Sequence, residues 1–294
     1  MSGRTKIWTV GEAIKWTSSL FSSKGVGNGR LEAEVLLSQV LGWDRVRLYL
    51  EFSRPLEANE RTRYRGLVRR RAAGEPLQHL LGYQQFRYLK LAVGPKAFIP
   101  RPETELLVDA AKRIIRSWPR ERPLVADVGT GSGAVALSLA YEIEHVDVVG
   151  IDISADALGI ARENAKANKL ESRIRFLEGY MLEPLAAHGV GPADILVSNP
   201  PYVPSSELQS LPPEVRSEPL PALDGGEDGL RYYRELASGR EPAVARRAAI
   251  ILEIGMGQSE LVRSILEEAG WAGVRIHPDL AGIPRVVEAY KKET

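Results

Sequence analysis

Beyond Pro102 short apolar runs alternate with helix-period stretches, and this alternation restricts the fold more than any other feature of the 294-residue chain. The apolar runs are Pro123–Val128 (PLVADV), Val146–Ile151 (VDVVGI), Arg173–Leu177 (RIRFL), Ala193–Ser198 (ADILVS) and Ala249–Ile254 (AIILEI). Short apolar runs bounded by turn residues read as buried strands. Helices are predicted over Glu103–Trp118, Ala134–Tyr141, Ser154 to about Asn168, Leu230–Arg247 and Gln258–Ala269. Pro102 opens the first of these and Ser154 caps the third. Val274–His277 and Val286–Tyr290 read as two late strands. Strands separated by helices imply crossover connections, so the predicted fold class is α/β, a mostly parallel sheet with helices on both faces. Ligands of such sheets sit beyond the carboxyl ends of the strands, so functional residues belong just after them.

Ahead of Pro102 the pattern changes. Leu31–Leu41 (LEAEVLLSQVL) has helical spacing with Gly42 as its cap, and Glu57–Ala73 is a second helix ended by Gly74 and Pro76. Strand-like alternation is absent, so residues 1–80 read as a small helical bundle. In residues 81–101 aromatic and polar residues alternate and Gly94-Pro95 marks a turn, the pattern of a β-hairpin or extended connector. Residues 102–294 form the α/β domain. Pro200–Leu223 is proline-rich but lies inside that domain, so it reads as an active-site loop rather than a linker.

Charge divides along the same line. Met1–Lys90 carries 16 Lys and Arg against 8 Asp and Glu, the remainder carries 23 against 30, and the two nearly cancel to a formal net charge of +1. Arg61, Arg65 and Arg69 share one helix face, either a solvated surface or one that meets an acidic partner. Composition excludes several classes. Apolar residues make up 44%, too many for a disordered or collagen-like chain. No run approaches the ~20 apolar residues of a membrane helix, and Met1–Val10 lacks the pattern of a signal peptide. Without cysteine there is no disulfide framework, thiolate nucleophile or Cys-ligated zinc. A cytoplasmic protein is the expectation.

The first strand runs into Asp127-Val128-Gly129-Thr130-Gly131-Ser132-Gly133. Glycines there let the backbone approach a ligand and turn sharply into a helix, whose N-terminal N–H groups face it. Asp152 ends the second strand, 21 residues after Gly131, where an acid can accept both hydroxyls of a ribose. An adenosine-containing cofactor follows, but two remain open. Gly129, Gly131 and Ala134 fit a dinucleotide pattern, whereas Gly129, Gly131 and Gly133 fit the G-x-G-x-G of S-adenosylmethionine enzymes.

The fourth strand ends in Asn199-Pro200-Pro201-Tyr202. This resembles the motif of methyltransferases acting on planar amino groups, namely adenine N6, cytosine N4 and the glutamine side-chain amide. Such a nitrogen gives its lone pair to a π system and carries two N–H donors. The Asn199 side-chain oxygen and the Pro200 carbonyl can accept both, while Tyr202 packs on the planar group and the prolines hold the turn rigid.

With both motifs in view the chain resembles the HemK/PrmC family, the protein-(glutamine-N5) methyltransferases of peptide chain release factors. Phe98-Ile99-Pro100-Arg101-Pro102-Glu103-Thr104-Glu105, Gly82-Tyr83 with Phe86, Glu218-Pro219, Ala222-Leu223, Gly225-Gly226, Asp228-Gly229-Leu230, and Leu252-Glu253-Ile254-Gly255 with Gln258 carry the resemblance. It implies a Rossmann-like seven-stranded methyltransferase domain behind a helical bundle that docks the substrate, and a hairpin connector. It also implies S-adenosyl-L-methionine as cofactor, S-adenosyl-L-homocysteine as product, and class I release factors as protein partners. Gly129, Thr130, Gly131, Ser132 and Gly133 would line the cofactor, Asp152 would hold its ribose, and Tyr180 would lie beside its adenine. Phe98 and Thr104 would help close the pocket, and Asn199 would touch both cofactor and substrate. A DNA or RNA amino-methyltransferase would share the Asn-Pro-Pro-Tyr motif, but would surround it with positive charge, and here the part that carries it is acidic. A nicotinamide oxidoreductase would leave that motif unexplained. A noncatalytic nucleic-acid-binding module would use the basic bundle alone. Direct nucleic-acid binding, a membrane and a metal site are therefore not expected.

Overall fold

The computed structural model of the chain describes residues 8–239 and 243–291. The chain divides into two compact units, Met1–Gly82 with Pro213–Ser217, and Tyr83–Pro212 with Glu218–Thr294.

The first unit is helical, with α1 (Val10–Ser23), α2 (Gly29–Leu41), α3 (Arg45–Leu50), α4 (Ala58–Ala72) and α5 (Leu77–Leu81). Local chemistry sets the ends. Thr9 and Glu12 form a reciprocal capping box at the start of α1. Asp44 accepts the Arg47 N–H at 2.7 Å to open α3, and α2 stops at the left-handed Gly42. Phe21, Leu36, Leu37, Leu48 and Val68 are buried in one core, each contributing about 1.5–3 kcal/mol of burial. Helices α1, α3 and α5 lie within the stretch expected to be helical but carry no individual prediction.

Not every arginine of α4 faces solvent. Arg71 is buried and pairs with Glu32 at 2.5 Å and with Glu214 at 2.7 Å. It is an internal charge, satisfied because burying it unpaired would cost several kcal/mol. Arg65 and Arg69 are exposed. The 213–217 segment that supplies Glu214 comes from the proline-rich loop, so part of that loop belongs to the helical unit.

The second unit opens with an antiparallel hairpin, β1 (Tyr83–Phe86) and β2 (Leu89–Ala92). Then come α6 (Thr104–Ser117), β3 (Leu124–Val128), α7 (Ala134–Glu142), β4 (Asp147–Asp152), α8 (Ala155–Ala167), β5 (Ile174–Glu178), α9 (Glu183–Ala187) and β6 (Ala193–Ser198). After α10 (Pro213–Arg216, in the first unit) the chain continues through α11 (Arg231–Ala237), β7 (Val244–Glu253), α12 (Ser259–Glu268), β8 (Ala272–Pro278) and β9 (Pro284–Lys291). The seven-stranded sheet has the order β5-β4-β3-β6-β7-β9-β8. Strands β3 to β7 run parallel to one another, and β9 runs antiparallel to both β7 and β8. Alternate strand residues serve two cores. Val125, Ile195 and Ile251 face α6 and α7, whereas Ala126, Leu196 and Ile250 face α9, α11 and α12. This produces the double coverage that the apolar runs required.

One helix expectation is corrected. Leu230–Arg247 is not a single helix, because α11 ends at Ala237 and β7 starts at Val244. Gly239 and Pro242 interrupt the apolar pattern, and neither tolerates a helix interior. Residues 240–242 of that expected helix lie outside the described residues. Consequently β7 begins before the expected Ala249 and pairs with β6 from Val244 onward, across an irregularity between Ala193 and Ile195.

Candidate functional site

The strand order decides where a site can form. The chain runs from β3 outward to β4 and β5, then returns to place β6 on the other side of β3. This reversal opens a crevice beyond the carboxyl ends of β3 and β6. Val128 is in register with Ile151 on one side and Ser198 on the other, and Ser198 with Leu252. The Ser198 hydroxyl donates to the Val128 carbonyl at 2.6 Å, tying the two strand ends together. The expected glycine turn, Asp152 and the Asn199–Tyr202 turn therefore emerge from neighbouring strands.

The glycine turn is held from below. The Gly129 and Thr130 N–H groups donate to the Ile151 carbonyl at 2.8 and 2.9 Å. Gly129 and Gly131 have φ of +73° and +56°, a region that favours glycine. A Cβ on either would meet no other protein atom within 4 Å, so their backbones can come directly against a ligand. Thr130 and Ser132 are buried. The Thr130 hydroxyl donates to Asp127 at 2.6 Å, and the Ser132 carbonyl accepts from Asn164 at 2.9 Å. The Thr130 side chain and the Ser132 carbonyl brace the loop. Asp127 also accepts the Ala136 N–H at 3.1 Å, and burial pushes its carboxyl up to about 6.

Asp152 is likewise braced, accepting the Gly131 N–H at 2.8 Å and the Ser154 N–H at 2.9 Å on different oxygens. Burial raises its pKa, and those N–H groups oppose the shift. A carboxylate has about four lone-pair directions, so acceptor capacity remains.

The Asn199–Tyr202 turn is clamped by several loops. The Asn199 side-chain NH2 donates to the Thr104 hydroxyl at 3.3 Å. Gln258 donates to the Tyr202 carbonyl at 3.1 Å, and Val203 exchanges backbone hydrogen bonds with the 223–225 segment. Gly229 comes so close that a Cβ there would sit 2.4 Å from the Tyr202 carbonyl oxygen. Pro200 is buried and Pro201 half-buried. Burial pushes the Tyr202 phenol up to about 12, so it stays neutral.

Tyr180 follows β5, with its hydroxyl engaged by Glu235 and by Arg231 at 3.0 Å. It is thus tied to α11 and has no hydrogen bond to the glycine turn or the Asn199 turn among the described residues. Phe98 is covered by the Arg101 guanidinium at 4.8 Å. Glu218 accepts the Ile99 N–H at 2.9 Å and pairs with Arg101, fixing that segment. Asp127, Gln258, Glu218 and Glu253 are structurally central but carry no individual role in the sequence reading. Asp127 lies in the glycine-turn run, and Glu218, Glu253 and Gln258 lie in segments that carry the family resemblance, with no role attached to them.

A sheet with this order and a ligand crevice at its β3–β6 reversal is the arrangement of a Rossmann-like methyltransferase. Residues 104–211 match the family model described as "Methyltransferase small domain", and residues 12–82 match "PrmC N-terminal domain". The chain is 41% identical over 288 residues to a release factor glutamine methyltransferase of Geobacter sulfurreducens, covering 98% of each chain. It is 41% identical over 285 residues to one of Moorella thermoacetica, covering 97% of this chain and 98% of the relative. The chain belongs to the release factor glutamine methyltransferase family. The hMettl16 catalytic domain, solved with an RNA hairpin, shares the fold at a TM-score of 0.56 and 13% identity over 76% of this chain and 81% of that one. One fold thus serves different substrates, and function must be argued from the site. No helix of the described residues is long and apolar enough to cross a membrane.

Proposed function

We propose that the chain transfers a methyl group from S-adenosyl-L-methionine to the side-chain amide nitrogen (N5) of the glutamine in the Gly-Gly-Gln loop of class I peptide chain release factors. The observation that carries this reading is the pairing of the glycine turn after β3 with the Asn199-Pro200-Pro201-Tyr202 turn after β6, held together by the Val128–Ser198 register. The residues fit the cofactor. Gly129 and Gly131 offer bare backbone, and Asp152 keeps acceptor capacity for ribose hydroxyls after taking two backbone N–H groups. Tyr180 would lie beside the adenine.

When bound, the cofactor supplies a methyl group on a positively charged sulfur, which keeps the electron pair of the broken carbon–sulfur bond and leaves as S-adenosyl-L-homocysteine. The protein's part is orientation. Asn199 Oδ1 and the Pro200 carbonyl accept the two N–H groups of the substrate amide, turning its nitrogen toward the methyl carbon and drawing electron density onto it. Tyr202, neutral and held through its carbonyl by Gln258, packs on the amide plane. Once the carbon–nitrogen bond has formed, the nitrogen is acidic and loses its proton to water, so no covalent enzyme intermediate is needed. The helical unit docks the protein substrate, with Arg65 and Arg69 facing acidic residues of the factor. A substrate that acts in translation places the enzyme in the cytoplasm.

The test offers labelled S-adenosylmethionine with a purified release factor, and with the same factor lacking the loop glutamine. Label on the intact factor alone is the expected result. Label on DNA or RNA, or on both factors equally, would overturn the proposal.

A further inference from the structure

Asn164 lies inside α8 and is 1% exposed. Asparagine is a poor helix former, and a buried amide costs stability unless it is hydrogen-bonded. Its place in this helix therefore needs a reason. Its Oδ1 accepts the Ala92 N–H at 2.6 Å, and its Nδ2 donates to the Ala92 carbonyl at 3.1 Å and to the Ser132 carbonyl at 2.9 Å. These partners fix which end of the amide faces which way, because a carbonyl only accepts and an N–H only donates. One side chain thus joins the end of the β1–β2 hairpin to the glycine turn after β3.

We infer that Asn164 is a positioning residue that holds the glycine turn in its cofactor-binding form, an inference that rests on the methyl-transfer reading above. The peptide between Ser132 and Gly133 is the part of the turn most free to rotate, because Gly133 has φ of +83° and glycine adopts either sign of φ readily. Two hydrogen bonds hold that peptide plane. Its N–H donates to the Thr130 carbonyl at 2.8 Å, and its carbonyl accepts from Asn164. Helix α8 backs the turn at the same place, since a Cβ on Gly133 would lie 3.2 Å from the Ala161 Cβ.

The two partners of Asn164 differ in what they lose without it. Ala92 is exposed, so water can satisfy its N–H and carbonyl. Ser132 is buried, so its carbonyl is left unpaired or the peptide must rotate toward another donor. The cost of removing Asn164 therefore falls on the turn. A turn that is braced only part of the time binds the cofactor more weakly by that fraction. Bound cofactor selects the braced form, so the chemical step is untouched. Both N–H groups of the Asn164 amide and its oxygen are engaged by backbone, so Asn164 acts through the turn rather than by touching cofactor or substrate. The same bonds carry a linkage. Releasing Asn164 frees Ala92 and Ser132 together, so a cofactor that favours the braced turn also protects the Ala92 N–H.

The test measures kcat and KM on the full chain with S-adenosylmethionine and a release factor, for wild type, N164A, N164D and N168A, at a temperature where circular dichroism shows each to be folded. Aspartate matches asparagine in shape and still accepts the Ala92 N–H, but its carboxylate sets an acceptor against the Ser132 carbonyl. Asn168 ties α8 to the hairpin alone, donating to the Lys90 carbonyl at 3.4 Å. We expect KM for the cofactor to rise about 10- to 100-fold in N164A and N164D, with kcat at saturating cofactor and KM for the factor within about threefold of wild type. N168A should leave KM for the cofactor within about twofold. A purely structural role would lower the active fraction, and so kcat, without moving KM. In the wild type, hydrogen exchange at the Ala92 amide should slow at least about fivefold when S-adenosyl-L-homocysteine is bound, a measurement that needs no variant to fold. A cofactor KM unchanged in N164A and N164D, an equal rise in N168A, or exchange at Ala92 indifferent to S-adenosyl-L-homocysteine would overturn the inference while leaving the methyl-transfer reading intact. A wild-type chain that binds no S-adenosylmethionine overturns both.

Discussion

Replacing Glu253 by Gln should make the protein more stable at alkaline pH. The carboxyl is buried at the end of β7, and burial raises it from its ordinary 4.5 to about 7. At about 1.4 kcal/mol for each pH unit, this amounts to about 3 kcal/mol. A carboxyl raised in the folded state contributes stability that is fully present below its unfolded pKa and lost as pH rises through its folded pKa. The wild type therefore loses up to about 3 kcal/mol from this group between about pH 4 and about pH 8, whereas E253Q loses none of it. Other titrations are common to both proteins and cancel in the difference. Urea unfolding followed by circular dichroism, repeated from about pH 5 to about pH 8, measures that difference directly. E253Q should be more stable by about 3 kcal/mol at about pH 8 and by less than about 1 kcal/mol at about pH 5. A domain of this size gains about 2–4 °C for each kcal/mol, so the melting temperature at the higher pH should rise by about 6–12 °C. An E253Q protein no more stable than wild type at about pH 8, or a gap that does not narrow on acidification, would refute the account of Glu253 as a charge held at a cost to stability.

Three further outcomes follow from the geometry. N199A should lower kcat at least about 100-fold, while cofactor affinity by calorimetry stays within about threefold, because the glycine turn and Asp152 are braced independently of it. D152N should weaken cofactor binding about 10- to 100-fold, since both Asp152 oxygens already accept backbone N–H groups and an amide can keep only one of them; an unchanged affinity would remove Asp152 from the site. R87A removes the buried guanidinium that pairs with Glu142 and Asp109, leaving Glu142 with Lys112. It should destabilise by about 3 kcal/mol and lower the melting temperature by about 6–12 °C, which a thermal scan checks.

The parts of the fold that could be read from the sequence are those enforced locally. The run ADILVS is a strand because both its faces are covered, and Ala193–Ser198 is β6. Ser154 caps α8 by accepting the Ala157 N–H at 3.2 Å, as its position before a helical pattern implied. Spacing does not report environment. The arginines of α4 sit at helical intervals, but spacing cannot show that Arg71 meets Glu214, a residue far along the chain. In Leu230–Arg247 a helical rhythm was continued past Gly239, where the backbone turns with φ near +23° and helix gives way to strand.

The same division runs through the candidate site. The residues that would touch ligand were legible because they need unusual backbone: glycines at positive φ after β3, and paired prolines after β6. The residues that hold them are ordinary in type, and only the β3–β6 reversal brings them near. Gln258 shows how much one such side chain carries. Its NH2 donates to the Tyr202 carbonyl at 3.1 Å and lies 3.4 Å from that of Gly229, while its oxygen accepts the Gly255 N–H at 3.0 Å. The Tyr233 hydroxyl lies 3.3 Å from that oxygen. One amide thereby joins the turn after β6, the loop before α11 and the turn after β7. Loops are the mobile parts of an α/β protein, so a turn that must aim an amide oxygen needs fastening of this kind. The Thr104 hydroxyl accepts from Asn199 at the other end of the same turn. The Asn-Pro-Pro-Tyr motif supplies the functional groups, and residues outside it, such as Gln258, fasten the turn that carries them.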